Sequence, residues 1–270
     1  MKSFQTYDEY VEITNKHRKG SDYKNVYFLK PQIQEFIGSK KLSYSESGSN
    51  LYMYEKCDGF SRFYYYIFKD EKPEKIKFDE PLVVEFVYDS PIKDKQAEAV
   101  SYLNKLGFEL GRRSIRMSLP DIDDFKYHDT RDSDEDIVIG LAEESEAETI
   151  RALLVDEFDP RFAFIPTYDE LLEIIRDGRI VVSRHGGEIA GFEHFEIANK
   201  VLKCWHMLVT PKYQGKGIAR RLFSESHKLA KDRASSGQVW LREDNMPAVK
   251  LYGSGGYEAD NRRSDEFVLE

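Results

Sequence analysis

A helix, a glycine-aromatic turn and a strand occur twice in this chain, and that recurrence restricts the fold more than any other feature. AVSYLNKLGFELGRRS begins at Ala99 and AVKLYGSGGYEADNRRS at Ala248. Aligning the two alanines also matches Val100 with Val249, Gly107 with Gly256, Phe108 with Tyr257 and Glu109 with Glu258, and the arginine pairs follow one residue out of step. A strand-like run precedes each copy, LVVEFVY at 82–88 and QVWLRE at 238–243. Solenoid repeats recur every roughly 20–50 residues. The spacing here is that of a whole domain, so the chain reads as two duplicated α/β units.

The boundary between them falls at 121–136, where DIDDFKYHDTRDSDED is strongly acidic and apolar periodicity stops before resuming at Ile137. A net charge of -9 argues against a general nucleic-acid binder. Cys57 and Cys204 stand too far apart for a disulfide framework or a cysteine zinc site, so no metal is expected. The opening MKSFQTYDEYVEI is acidic where a signal peptide is apolar, and the apolar run at 63–68 is too short to span a bilayer. A soluble, cytoplasmic protein with no membrane partner is the expectation.

From Asp136 the pattern reads strand, helix, helix, hairpin, strand, helix, strand, short helix, strand, with His185, Gly186 and Gly187 turning the hairpin. The run VTPKYQGKGIARRLF, 209–223, then places a strand end, a proline, a glycine loop and an amphipathic helix in succession. Glycines let successive amides converge and a helix start adds a positive dipole end, which together suit a pyrophosphate. Lys212, Lys216, Arg220 and Arg221 add local positive charge. The spacing fits neither GxxxxGK[ST] nor GxGxxG.

With LKCWHMLV before it and DNMPAVKLYGSGGYE after it, this segment resembles the acetyl-CoA binding core of the GNAT superfamily of N-acetyltransferases. Gln214, Gly217 and Ala219 meet that family's [QR]xxGx[GA] pattern, and Asn245, Tyr252, Gly256 and Tyr257 meet its later asparagine, tyrosine and glycine-aromatic pattern. The likeness covers about residues 136–270. The first half resembles a degenerate copy: no glycine loop lies between Phe68 and Leu82, and Leu103 stands where the second copy has Tyr252. The fold class so implied is α/β, in detail α+β with a mixed sheet, as two GNAT-like acyl-CoA N-acyltransferase domains in tandem. Residues 1–120 would form the degenerate domain without a cofactor site, 121–136 the linker and 137–270 the catalytic domain.

The resemblance implies direct attack of an amine on acetyl-CoA, with no acyl-enzyme. It assigns main-chain groups of Leu208 and Val209 to the pantetheine arm, residues Gln214, Gly215, Lys216, Gly217, Ile218 and Ala219 to the pyrophosphate, and Asn245 to the cofactor arm or to the helix entry. Tyr252 would serve the departing thiolate. For the base, Glu193, His194, Glu196 and His206 lie on the nearest strands, with His206 and Glu193 ranked first; a bulge common in this family leaves their facing undecided. Cys204 reads as a buried structural thiol. The expected acceptor is a small-molecule or peptide amine, the chain a monomer or homodimer. The alternatives are a non-catalytic acyl-CoA-binding regulator and a protein N-terminal or lysine acetyltransferase.

Overall fold

The computed structural model describes residues 1–126 and 136–270, which group into two compact units. Unit 1 takes Met1–Arg113 together with Arg262–Glu270, and unit 2 takes Ser114–Asn261. The acidic segment at 121–136 lies mostly outside the described residues. Its first part forms a 3-10 turn over Ile122–Asp124 and buries Ile122 and Phe125 in the core of unit 2.

In unit 1 the chain forms β1 (Lys2–Ser3), α1 (Tyr7–Arg18), β2 (Tyr23–Lys24), α2 (Lys30–Gly38), β3 (Leu42–Ser47), β4 (Asn50–Lys56), β5 (Ser61–Ile67), β6 (Leu82–Asp89), α3 (Asp94–Leu106) and the first part of β7 (Glu109–Leu119). Strands β3, β4 and β5 are antiparallel, β6 joins β5 in parallel, and residues 262–269 pair antiparallel with β6. No helix forms in 68–81, between β5 and β6. One face of this sheet buries Phe63, Leu82 and Phe267 with Leu103 and Leu106 of α3. The other buries Leu51 and Met53 with Tyr10 of α1 and Ile33 of α2.

Unit 2 contains β8 (Ile137–Leu141), α4 (Ala147–Glu157), α5 (Tyr168–Arg176), β9 (Ile180–His185), β10 (Glu188–Ala198), β11 (Val201–Val209), α6 (Ile218–Ala230), β12 (Ser236–Arg242), α7 (Met246–Ser254) and the start of β13 (Glu258–Leu269). The pairing repeats that of unit 1: β9, β10 and β11 are antiparallel, β12 is parallel to β11, and residues 114–119 of β7 close on β12 antiparallel. Here a helix, α6, fills the connection between the two parallel strands. Local chemistry sets the ends. Thr167 and Glu170 form a reciprocal capping box on α5, and Gly186 and Gly187 take positive φ to turn β9 into β10. No helix among the described residues is long and apolar enough to cross a membrane.

Two layers of helix cover the unit 2 sheet. Helices α4 and α5 pack Ile150, Leu154, Leu171 and Ile174 on Ile180, Val182, Phe192 and Leu208. Helices α6 and α7 pack Ile218, Leu222, Phe223 and Tyr252 on Phe195, Leu202, Cys204, Val239 and Leu241. Each large aliphatic chain so buried contributes about 1.5–3 kcal/mol.

A polar clasp lies inside the second layer. His227 is fully buried and stacked on Phe125 at 3.7 Å. Its Nδ1 lies 2.8 Å from the Phe223 carbonyl and its Nε2 2.9 Å from the Tyr257 hydroxyl, so Nδ1–H donates and Nε2 accepts. Gly237 makes room for that phenol, since a Cβ there would sit 2.0 Å from Tyr257 Oη. Burial pushes the His227 imidazole down to about 4. An unfolded histidine titrates near ~6.5, so this clasp stabilises fully above that value and is lost as pH falls toward 4. Urea unfolding should therefore show stability declining from about pH 6.5 to 4. His227→Leu should lower stability at pH 7 by about 1–3 kcal/mol and make the acid slope shallower; an unchanged slope would assign the decline to other groups.

Candidate functional site

The site is made by a ladder that stops. Strand β11 pairs in parallel with β12 from Val201↔Ser236 to Cys204↔Val239 and no further, while β12 continues to pair with β7 as far as Arg242↔Ser114. On the other side of β11 the register slips: His194 faces His206, but Phe195 faces Cys204, so Trp205 is an extra residue, a β-bulge. The bulge bends β11 away where the ladder with β12 ends. Gly191 permits the close approach of β10 beyond it, since a Cβ there would lie 2.6 Å from the Leu208 carbonyl oxygen.

Backbone alternation decides which groups the opening exposes. Thr210 N–H donates to Ala190 O at 3.0 Å, so Leu208, two residues back, also bonds toward β10. The amides and carbonyls of Met207 and Val209 then turn to the open edge. Gln214 Nε2 donates to Val209 O there at 3.0 Å. Of the two positions expected along the pantetheine arm, Val209 presents its main chain to the opening and Leu208 presents it to β10.

The opening runs into the glycine loop. After a 3-10 turn at Pro211–Tyr213, Gly215 and Gly217 take φ of 79° and 75°, and Gly217 starts α6 with no side-chain cap. A Cβ at either glycine would meet nothing within 4 Å. Backbone conformation therefore calls for glycine here, since a positive φ costs other residues roughly 1–2 kcal/mol. The amides at Gly217, Ile218 and Ala219 head the helix, where the macrodipole favours an anion. Lys212, Lys216 and Arg220 are exposed around them, and Lys212 pairs with Glu188 at 3.0 Å. Arg221 turns inward to the Ile137 carbonyl at 2.9 Å. The open space, the uncapped helix start and the surrounding cations fit a diphosphate.

Two groups of polar side chains lie on opposite faces of the sheet beside the opening. Toward α6 and α7, Tyr252 is buried against Phe223 and Tyr257, with ring centroids at 4.7 and 5.7 Å. Burial, then the neighbouring Cys204 and Glu193, raises its phenol well above the usual value. Cys204 is the last residue of the β11–β12 ladder and its thiol is likewise raised by burial. Glu193 is completely buried; neither carboxylate oxygen has a well-formed hydrogen-bond partner, with Ser226 and Cys204 its nearest polar neighbours. Burial lifts this carboxyl to about 7.

Toward α4 and α5, His194 Nδ1 and His206 Nδ1 share a hydrogen bond of 3.2 Å, and the His206 ring meets Phe158 edge-on at 4.9 Å. Burial pushes His206 down to about 4, and burial together with its neighbour pushes His194 to about 3, so both are neutral at pH 7. Tyr252 and Glu193 thus come together, and His206 stands across the sheet from them. Counting back from the Asn199–Lys200 turn would set His194 opposite Trp205; only the bulge brings His206 into that place. The pairing of the histidines is therefore the feature sequence reading missed. Asn245 caps α7, accepting from Ala248 N–H at 3.2 Å. Among the described residues no group of three or more His, Cys, Asp or Glu side chains could hold a metal ion.

Residues 147–257 match the model of the acetyltransferase (GNAT) family. No curated protein matches the sequence. Among solved structures, a GCN5-related N-acetyltransferase from Sphaerobacter thermophilus is 12% identical, with 81% of this chain and 76% of that one covered at a TM-score of 0.58. A tandem GNAT protein from the clavulanic acid biosynthesis pathway is 14% identical, with 84% and 83% covered at 0.56. A GNAT-family acetyltransferase from Colwellia psychrerythraea is 10% identical, with 100% and 99% covered at 0.51. The second unit belongs to the acetyltransferase (GNAT) family, which transfers acyl groups from acyl-CoA, and the chain as a whole has the mixed-sheet fold of two GNAT-like domains in tandem.

Proposed function

We propose that unit 2 transfers the acetyl group of acetyl-CoA to a primary amine of a small molecule or peptide by direct attack. One observation carries this reading: an unpaired backbone edge at Met207 and Val209 leads straight into an uncapped, glycine-started helix. The helix start binds the diphosphate. The free amides of the edge bind the arm and meet negative charge as it develops on the acyl oxygen, a contribution of several kcal/mol when such donors are preorganised.

Tyr252 serves the leaving sulfur. A thiol titrates near ~8.5 and an ordinary phenol near ~10, and this phenol is raised further, so full proton transfer to sulfur runs uphill. Tyr252 accordingly donates a hydrogen bond to sulfur as the thiolate forms. The base is the His194–His206 pair, on the face opposite Tyr252. An imidazole at about 4 cannot strip an alkylammonium near ~10 at equilibrium, because about six units amount to roughly 8 kcal/mol. The amine therefore reacts as free base, and the pair takes the far more acidic proton that nitrogen carries after attack. Glu193, beside Tyr252, does not face the amine in this scheme.

Three outcomes test the proposal. Calorimetry should show coenzyme A binding, weakened about tenfold by Gly217→Ala, whose free loop relaxes away from the positive φ that binding must then restore; no heat from the intact protein would overturn the assignment. Tyr252→Phe should lower kcat at least tenfold and leave acetyl-CoA affinity within twofold, whereas a merely structural tyrosine would lower stability and not kcat. With a simple alkylamine, kcat/KM should rise about tenfold per unit between about pH 6 and 9, following the acceptor's own ionisation. A break near 6.5 would instead place the base on an ordinary histidine.

A further inference from the structure

The chain has two tryptophans, and both stand where the ladder opens. Cys204 and Val239 are the last partners of β11 and β12, so Trp205 and Trp240 are the next residue on each strand. Val239 and Leu241 pack toward α6 and α7, and alternation puts Trp240 on the other face. Trp205 is on that face too: its indole meets Phe164 edge-on at 6.5 Å and its Nε1 donates to Glu196 Oε2 at 3.2 Å. Trp205, Trp240 and Phe164 remain 47%, 42% and 46% exposed. His206, the neighbour of Trp205, is buried on the same face.

We infer that these three side chains form the acceptor site and that it takes a primary amine joined to an aromatic ring by a short aliphatic chain. The inference rests on the acetyl-transfer reading and names its substrate class. Indole and phenyl faces left half in water recover apolar burial and ring-stacking energy when a flat ring enters between them. The Glu196 carboxylate, fixed on the Trp205 edge, draws the ammonium toward β11, and the aromatic faces attract it as well. The amine end then lies beside the histidine pair and the ring end under Trp240. On β7 the partner of Trp240 is Arg116, which is tied to Asp260 at 2.6 Å and gives the site a polar rim rather than a closed wall.

The two indoles report on their own site, because no other tryptophan contributes emission. Titrating the full chain with tyramine, without any acyl-CoA, should change tryptophan emission saturably; butylamine and glucosamine should not. In turnover with acetyl-CoA, tyramine should exceed butylamine at least tenfold in kcat/KM. Trp240→Ala should remove that preference and leave coenzyme A affinity unchanged, and Trp205→Phe, which keeps an aromatic ring in the bulge, should retain part of it. Unaltered emission with tyramine, or preference for glucosamine or butylamine, overturns the inference. Failure of coenzyme A to bind overturns acetyl transfer instead, and the emission titration still reads the aromatic site alone.

Discussion

Everything in the second unit depends on four residue pairs of parallel ladder and on the fact that there is no fifth. Main-chain amides in a sheet interior are committed to neighbouring strands, and an unpaired one away from water costs about as much as a lost hydrogen bond. Ending the ladder at Cys204 and Val239 leaves donors along β11 in need of a partner from outside the protein. The bulge at Trp205 lies at this split, where an extra residue bends a strand, and beyond it β12 goes on pairing with β7 as far as Arg242.

The same split sorts the side-chain chemistry. A strand alternates its faces, so an extra residue reverses the facing of everything beyond it. Cys204 therefore faces α6 with Tyr252, and His206 faces the opposite layer with His194. In the proposed scheme the leaving sulfur departs on the Tyr252 side and the amine attacks from the His194–His206 side, so the sheet would separate the two sets of groups. Burial keeps both sets neutral near pH 7: it lowers the imidazoles and raises the phenol.

Much of this was legible in the sequence because local rules governed it. The hairpin at Gly186–Gly187 and the helix after Gly217 come from residues whose backbone demands are met within a few positions. The duplicated helix and turn is legible for the same reason, and Gly107 and Gly256 both take positive φ before a buried aromatic. The facing of His206 was not legible, since one bulged residue decides it and nothing in Trp205 announces a bulge. Glu193 illustrates a second kind of gap: a glutamate on a strand usually faces water, and only tertiary packing under α6 leaves this one without a partner.

The closing strands bear on how the molecule comes apart. Residues 114–119 follow the helix of the first unit yet pair in the second, and residues 262–269 follow the helix of the second yet pair in the first. Proteolysis at any one peptide bond therefore cannot liberate unit 1 whole. A cut that frees unit 2 leaves it carrying a strand whose Phe267, Val268 and Leu269 have lost the β6 partner that buries them. Such an orphan edge is a template for pairing with other chains, so nicked protein should be prone to clump, and synthesis must run to the last strand before the first unit can close.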